Sequence, residues 1–193
     1  TCYRHADLVV VQTSQEAAKL PWLNNKLIVA PNAVSKPSAT WSGGSDKPFA
    51  AQVNFTNRRA GKLKPFLTRA WPKIRLGDPS ARLELFGPGC TEPAWLNEIE
   101  GVQFVGEVPD LDAFLAEKRA LLVPLEHSTG LSNTVIRGLA MGMPMVTTET
   151  ASRGAQSVIG EWPHSTAKIA TNLNEFIRHV VEIDNLGAHT HPS

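Results

Sequence analysis

The chain has 193 residues, of which 42% are hydrophobic and 19% charged, and its formal net charge at pH 7 is +1. This composition is typical of a soluble globular protein with one large domain, or with a domain and part of another. The balanced charge gives no basic surface for nucleic acid, and no apolar run reaches the ~18–20 residues that span a bilayer. We therefore predict neither a nucleic-acid partner nor a transmembrane segment.

The first 30 residues predict a strand, a helix and a second strand. The apolar run Leu8–Val11 is typical of a strand buried on both faces, and the run Leu27–Ala30 predicts another. Between them, Thr13 or Ser14 is a suitable N-cap for a short helix. Because a strand begins so close to the first residue, we expect the sequence to start inside a longer or processed polypeptide.

Residues 32–47 are rich in Gly, Ser and Pro, which is typical of a flexible linker. After them, apolar runs alternate with helix-like stretches, and this alternation predicts a parallel sheet with helices on both faces. The predicted fold class is therefore α/β, with a Rossmann-like doubly wound sheet. Strands are predicted at 49–55, 82–86, 102–105, 121–123 and 145–148, and helices at 59–75 (interrupted near Pro65 and Pro72), at 95–99, at 111–118, before Gly142, and at 174–183.

In such sheets, ligands bind beyond the carboxyl ends of the strands. The last loop there leads into the stretch Gly130–Gly154, GLSNTVIRGLAMGMPMVTTETASRG, which predicts a helix followed by a strand. The free N–H groups and the dipole at the start of a helix favour an anion such as a diphosphate. Ser128, Thr129 and Gly130 therefore either cradle a phosphate or cap the helix. The loops expected at this edge are 54–61, 87–90, 106–110 and 126–134.

The two cysteines, Cys2 and Cys90, lie far apart, and the six histidines show no HxxxH or HExxH spacing. Free thiols are favoured over a disulfide, which is typical of a reducing compartment, and no metal site is predicted. The chain also lacks the GxSxG and GxxxxGK[ST] motifs, so neither a nucleophile elbow nor a P-loop is predicted.

Four motifs follow one another along the chain: LIVAPNAV, LELFGPG, GVQFVGEVPDLDAFLAEKRALLVPL and GLAMGMPMVTT. In this order they resemble the retaining glycosyltransferases of the GT-B fold, the group that includes sucrose-phosphate and bacterial mannosyl transferases. The resemblance covers nearly the whole chain and implies the C-terminal, nucleotide-sugar-binding half of such an enzyme. It divides the chain into a remnant of the N-terminal domain (1–34), a linker (35–47), a Rossmann-like donor-binding domain (48–185) and a tail (186–193).

The resemblance implies a hexosyltransferase that takes its sugar from a nucleoside diphosphate, with no metal and no cofactor other than this donor. The missing N-terminal domain, or another protein subunit, would hold the acceptor and any catalytic base, so no catalytic residue is assigned. Catalysis would be mainly electrostatic, by cations around the leaving diphosphate. Arg58, Arg59 and Lys62 follow the first strand of the domain, where such cations are needed; a solvated basic turn is the alternative.

Two further loops hold candidates for contact with the nucleotide. Gly87 and Gly89 follow the strand in LELFGPG, and they either permit a tight turn or contact the base. The backbone at Glu107 and Val108 is a candidate for recognising the nucleobase.

The helix before GMPMVTT departs from the family. In the family a Glu on this helix hydrogen-bonds the donor ribose, a basic residue often lies three positions earlier, and a second Glu lies eight positions before the first. This chain has Arg137, Thr134 and Thr129 at these positions. Arg137 cannot accept the protons of the ribose hydroxyls, and it either binds phosphate or pairs with Glu126 or Glu107. The alternative function is therefore a catalytically silent, glycosyltransferase-derived structural subunit of a larger assembly.

Overall fold

The computed structural model describes residues 5–30, 33–53, 63–125, 132–152, 155 and 166–184. In this part of the chain the strands form a two-stranded sheet and a six-stranded sheet, and every strand pair is parallel. No helix in it is both long enough and apolar enough to cross a membrane.

The first unit, residues 5–30, contains the two-stranded sheet. Thr13 is the N-cap of its helix, as the sequence predicts: the Thr13 hydroxyl accepts a hydrogen bond from the N–H of Glu16, and the Glu16 carboxylate accepts one from the N–H of Thr13. This capping box satisfies two main-chain donors that the helix itself leaves free. The elements are β1 (Val9–Val11), α1 (Ser14–Ala18), a 3-10 turn (Pro21–Lys26) and β2 (Leu27–Val29).

The prediction that the first strand is buried on both faces is wrong. Leu8 is 52% exposed and Val10 is 58% exposed, and on β2 Ile28 is 47% exposed. An apolar run of this kind is typical of a parallel sheet covered on both sides. In the described part of the chain, the short helix α1 lies against one face of this two-stranded sheet. The other face of the sheet therefore remains at the surface.

The main sheet has six parallel strands in the order β5-β4-β3-β6-β7-β8. The chain winds outward from β3 to one edge and then from β6 to the other, which confirms the predicted Rossmann-like doubly wound sheet. The strands are β3 (Phe49–Gln52), β4 (Leu83–Phe86), β5 (Val102–Gly106), β6 (Leu121–Val123), β7 (Met145–Thr148) and β8 (Ala167–Ala170). The sequence does not predict β8, because AKIA is short and its lysine interrupts the apolar run.

Helices cover both faces of the main sheet. Side chains alternate along each strand, so Phe49 packs in one core with Trp71 and Phe176, whereas Ala50 packs in the other with Val135. The first core lies under α2 and α5, and the second lies under α3 and α4. The helices are α2 (Trp71–Gly77), α3 (Leu111–Ala116), α4 (Asn133–Ala140) and α5 (Leu173–Val181), with a 3-10 turn at Ala94–Glu98.

The predicted interruption of the first long helix near Pro65 and Pro72 is present as a change of helix type and not as a break in the helical run. A π-helical stretch, Phe66–Ala70, runs directly into α2, and the N–H of Trp71 donates to the carbonyl of Phe66. Pro72 then lies in the first turn of α2, where a missing N–H is tolerated. The change from π to α geometry lets one continuous helical run contain both prolines.

Residues 33–43, which we call the strap, have no helix or strand of their own but lie along α3 and α4. The main-chain N–H of Trp41 donates to the carbonyl of Met141 at 3.2 Å, and that of Ser42 to the carbonyl of Ala116 at 2.9 Å. The Trp41 indole N–H donates to the carbonyl of Lys118 at 2.7 Å. These bonds make the strap part of the surface of the domain. The linker and the domain boundaries remain predictions.

The edge at which the strands begin, the amino edge, is held by a buried arginine. Arg119 is 7% exposed, and its guanidinium is 2.6 Å from carboxylate oxygens of both Asp78 and Asp184. It also lies over the ring of Phe49. Burial raises the pKa of Asp78, but hydrogen bonds from Ser80 and Arg119 outweigh it and hold that pKa below its ordinary value of 3.8. Arg119 therefore connects the start of β6 with the ends of α2 and α5.

Candidate functional site

The main sheet has its topological switch point between β3 and β6. Along the chain β3 is followed by β4 and β5 on one side, and β6 then pairs with β3 on the other side. The connections leave these two strands in opposite directions, and the resulting crevice beyond their carboxyl ends is where ligands bind in doubly wound folds. We call this side of the sheet the carboxyl edge.

Helix α4 begins at this crevice. Its N-cap, Ser132, accepts a hydrogen bond from the N–H of Val135 at 3.4 Å. Thr134, in the first turn, donates its hydroxyl proton to the carboxamide oxygen of Gln52, the last residue of β3. The start of α4 is therefore held against the carboxyl end of β3, beside the switch point.

The glycine turn after β4 lets three strand ends approach one another. The N–H of Gly87 donates to the carbonyl of Gly106 at 2.8 Å, where the β4–β5 register shifts. A Cβ atom at Gly87 would overlap the carbonyl oxygen of Val53, so only glycine fits. Gly89 has a φ of 62°, which favours glycine, and no atom lies within 4 Å of the place where its Cβ would be. Both glycines thus fit the predicted tight turn, and their contact with a base stays a prediction.

Glu107 and Val108 follow β5 on the same edge. The Glu107 side chain is exposed, whereas Val108 is half-buried and packs against the core under α3 and α4. Both residues therefore lie at the carboxyl end of β5.

Arg137 lies one turn after Thr134 on α4 and is partly buried, with 21% of its side chain exposed. Its Nε is 3.4 Å from Oδ1 of Asp112, and its Nη1 donates to the carbonyl of Ser35 at 3.2 Å. Of the two expected partners, Glu107 is not the carboxylate that faces it, since Asp112 on α3 takes that place. Glu126 lies outside the described residues.

Half of the predicted site residues lie outside the described ranges. These are Arg58, Arg59 and Lys62 after β3, and Ser128, Thr129 and Gly130 before α4. The described candidates Gly87, Gly89, Glu107, Val108 and Thr134 all lie at the carboxyl edge, whereas Arg137 faces the strap and α3.

Gln52 is not among the residues predicted from the sequence, and Cys90 is predicted there only as a thiol outside a disulfide, with no position in the site. Gln52 is the polar residue that ends the apolar run FAAQ, and a polar side chain at the carboxyl end of a buried strand is a usable signal for a site. The Cys90 thiol, which is not in a disulfide, donates to the carbonyl oxygen of Val53 at 3.6 Å, within the glycine turn. The described residues contain no group of three or more His, Cys, Asp or Glu side chains that could hold a metal ion.

A cavity of about 310 Å³ opens at the carboxyl ends of β6, β7 and β8, on the side of α2 and α5. Arg69 and Glu149 line it together with Asn172, the N-cap of α5. A larger groove of about 690 Å³ lies elsewhere, between the helical run 64–77 and the 3-10 turn Ala94–Glu98, and contains no strand end. The carboxyl edge is the candidate site because ligands bind at strand ends in this fold, although the groove beside the helical run has the larger volume.

The fold is that of the C-terminal half of a GT-B glycosyltransferase. The family model for glycosyl transferases group 1 matches residues 55–183, and the chain therefore belongs to this family.

Solved structures share the fold at low sequence identity. S. aureus TarM, in a complex containing UDP, matches with a TM-score of 0.73 and 15% identity, over 94% of this chain and 38% of TarM. Anabaena HepE in complex with UDP-glucose matches with a TM-score of 0.67 and 11% identity, over 96% of this chain and 56% of HepE. An O-GlcNAc transferase from Thermobaculum terrenum matches with a TM-score of 0.59 and 21% identity, over 84% of this chain and 35% of the enzyme.

The chain thus spans between about a third and just over half of the length of these proteins. None of the curated proteins matches the sequence.

Proposed function

We propose that the chain is the donor-binding half of a glycosyltransferase and binds a nucleoside diphosphate sugar for hexosyl transfer. The observation that carries this proposal is the start of α4, which the Thr134–Gln52 hydrogen bond fixes at the switch point. The helix dipole at this start favours an anion such as a diphosphate. Membership of the group 1 glycosyl transferases and the UDP or UDP-glucose in the TarM and HepE structures support the same ligand class.

In this proposal the candidate residues have distinct tasks. The diphosphate lies between the start of α4, with Ser128, Thr129, Gly130 and Thr134, and the cations of Arg58, Arg59 and Lys62. The nucleobase lies toward β4 and β5, where Gly87, Gly89 and the main chain of Glu107 and Val108 provide a surface without bulky side chains. These cations stabilise the leaving diphosphate electrostatically, so the reaction needs neither a metal nor a further cofactor.

The acceptor side of the reaction requires more polypeptide than these residues. The exposed apolar side of β1 and β2, with Leu8 and Val10, supports a partner that completes this sheet. We propose that an upstream domain or another protein subunit supplies that partner and holds the acceptor and any catalytic base.

The second candidate function is a catalytically silent, structural subunit of a larger assembly. Arg137 favours it, because the residue that the resemblance aligns with the ribose-binding Glu is a cation engaged with Ser35 and Asp112. Loss of a charged hydrogen-bond acceptor for the ribose removes about 1.5–3 kcal/mol of binding free energy.

Calorimetric titration with UDP, GDP, UDP-glucose and GDP-mannose separates the two candidates. The donor-binding proposal expects saturable binding that weakens at least tenfold in Lys62→Ala and Arg58→Ala. Lys73→Ala, an exposed lysine on α2, is the matched control and should bind as the parent does. Absence of binding of all four ligands at millimolar concentration would rule out the donor-binding proposal and leave the silent subunit.

A further inference from the structure

The strap contacts α3 and α4 at several points along its length. Near the start of α3, the main-chain N–H of Ser38 donates to Oδ2 of Asp112 at 2.8 Å, and the Ser38 hydroxyl donates to the same oxygen at 3.2 Å. Near the ends of the two helices, Trp41 and Ser42 donate to main-chain carbonyls. The apolar side chains of Val34, Ala39 and Trp41 pack against the core between these bonds.

Arg137 connects three segments at the upstream end of the strap. It reaches from α4 to the carbonyl of Ser35 with Nη1, at 3.2 Å, and to Oδ1 of Asp112 with Nε, at 3.4 Å. Asp112 in turn holds Ser38 with its other oxygen. Both charged side chains are largely withdrawn from solvent, with 21% of Arg137 and 12% of Asp112 exposed. A carboxylate so buried needs a counter-charge, and Arg137 provides it.

The downstream end of the strap is held independently. A Cβ atom at Gly43 would overlap the carbonyl oxygen of Lys118, so the main chain of the strap lies directly against the end of α3. The Trp41 indole binds the same carbonyl. The strap is thus fixed at both ends by different residues, and each end can be tested separately.

We infer that Arg137 and Asp112 form a clamp that fixes residues 35–38 onto α3 and α4. Any movement of the first unit, residues 5–30, relative to the main-sheet domain then takes place upstream of Ser35. The part of the Gly-, Ser- and Pro-rich segment from Ser35 onward is therefore not the hinge between the two units. Arg137 acts here as a positioning residue, and this inference holds whether or not the crevice binds a nucleotide sugar.

Residue-resolved hydrogen exchange by NMR on the 193-residue chain tests the clamp. The amides of Ser38, Trp41 and Ser42 are the reporters, since each donates to a partner on the domain. In the parent we expect all three to be protected at least a hundredfold relative to free peptide. The amide of Ala50, in the main sheet, reports whether the fold is intact. Exchange of the Ser38 amide at the free-peptide rate would overturn the inference without any variant.

Two variants then assign the clamp to its residues. Arg137→Ala and Asp112→Asn should each raise the exchange rate at Ser38 on the order of tenfold or more, because each removes a charge-assisted contact. Asp112→Asn keeps an oxygen acceptor for Ser38, so its effect reports the loss of the charge. The double variant should add little to either single change, and Trp41 and Ser42 should stay protected.

Arg82→Ala is the matched control. Like Arg137, Arg82 donates to a main-chain carbonyl in the segment that precedes β3 in the chain, in this case the carbonyl of Asp46 at 2.8 Å. It should leave the Ser38 amide unchanged. Unchanged exchange at Ser38 in Arg137→Ala, or a rise equal to that in Arg82→Ala, would overturn the role of Arg137. Additive effects of the two clamp variants would show that the residues act separately and would overturn the coupling between them.

Discussion

The two edges of the main sheet are built from the same strands but differ in chemistry. At the amino edge, Arg119 is buried and bonded to two carboxylates, and Lys118 pairs with Glu84 at 2.7 Å. At the carboxyl edge, the described residues offer a glycine turn, an exposed Glu107 and the start of α4. The amino edge is crossed by buried ion pairs, whereas the described part of the carboxyl edge contains a glycine turn and a helix start. In a parallel sheet, side chains that stabilise the fold can thus lie at the amino ends of the strands, opposite the carboxyl ends at which such folds bind ligands.

The largest effect is expected at the amino edge. Arg119→Ala should lower the free energy of unfolding by about 2–4 kcal/mol, because it leaves Asp78 and Asp184 without their cation. Urea denaturation measures this loss. Arg119→Met, which keeps a side chain over the Phe49 ring, should lose less, and Arg178→Ala, at an exposed arginine, should stay within about 0.5 kcal/mol of the parent. A loss as small as that of Arg178→Ala would mean that the amino edge is no more important for stability than the surface.

At the carboxyl edge, two neighbouring glycines should respond differently to alanine. Gly87→Ala should cost about 2–3 kcal/mol, because the new Cβ would displace the main chain at Val53. Gly89→Ala meets no atom and should cost about 1–2 kcal/mol, from its positive φ alone. Urea denaturation of both variants gives the comparison. Equal losses would contradict the close approach of β3 and β4 that shapes the crevice.

Acid should weaken the amino edge. The folded-state pKa of Asp78 lies below its ordinary value of 3.8, so its stabilising contribution is complete above 3.8 and is lost as the pH falls through the lower folded value. We therefore expect the urea midpoint to fall from about pH 5 downward. Arg119→Ala should show a shallower fall, because it removes one cause of the lowered pKa. Parallel curves for the parent and the variant would show that Arg119 does not set the acid response.

The smallest effect on stability is expected for Thr134→Val. Its hydrogen bond to Gln52 lies at the surface, so its loss should cost no more than about 1 kcal/mol. Nucleotide affinity, measured by titration with UDP, should nevertheless fall several-fold, because this bond positions the start of α4. Thr68→Val, which removes an exposed hydroxyl bond within the helical run 64–77, should leave the affinity unchanged. Equal affinities for the two variants would show that the bond does not position the site.

Much of the fold follows from local signals in the sequence. Apolar runs separated by helix-like stretches predict five of the six main strands, and Asp110 and Thr13 are suitable caps before α3 and α1 and serve as such. The strand β8 lacks such a signal because Lys168 interrupts it. Burial of the first strand cannot be judged from its own residues, because it depends on which polypeptide covers it.

The site is harder to predict, because its contacts join residues far apart in the chain. Arg137 and Asp112 are 25 positions apart, and no spacing rule pairs them. A signal nevertheless exists: Asp112 lies on the same buried side of α3 as Leu115 and Ala116, and a carboxylate on a buried helix face predicts a cation nearby. Gly, Ser and Pro content gives no such signal for the strap, since its conformation depends on acceptors supplied by α3 and α4.

The anchors of the strap also determine where the chain tolerates a change in length. An extra residue between Ser38 and Trp41 would pull one of them from its partner, Asp112 or Met141, so this interval has a fixed number of residues. After Gly43 the chain makes a turn in which Lys47 donates to the carbonyl of Gly44, and Ser45, Asp46 and Lys47 are exposed. Insertions, epitope tags or a protease site therefore belong at this turn, where they lengthen the chain without disturbing the helices that frame the crevice.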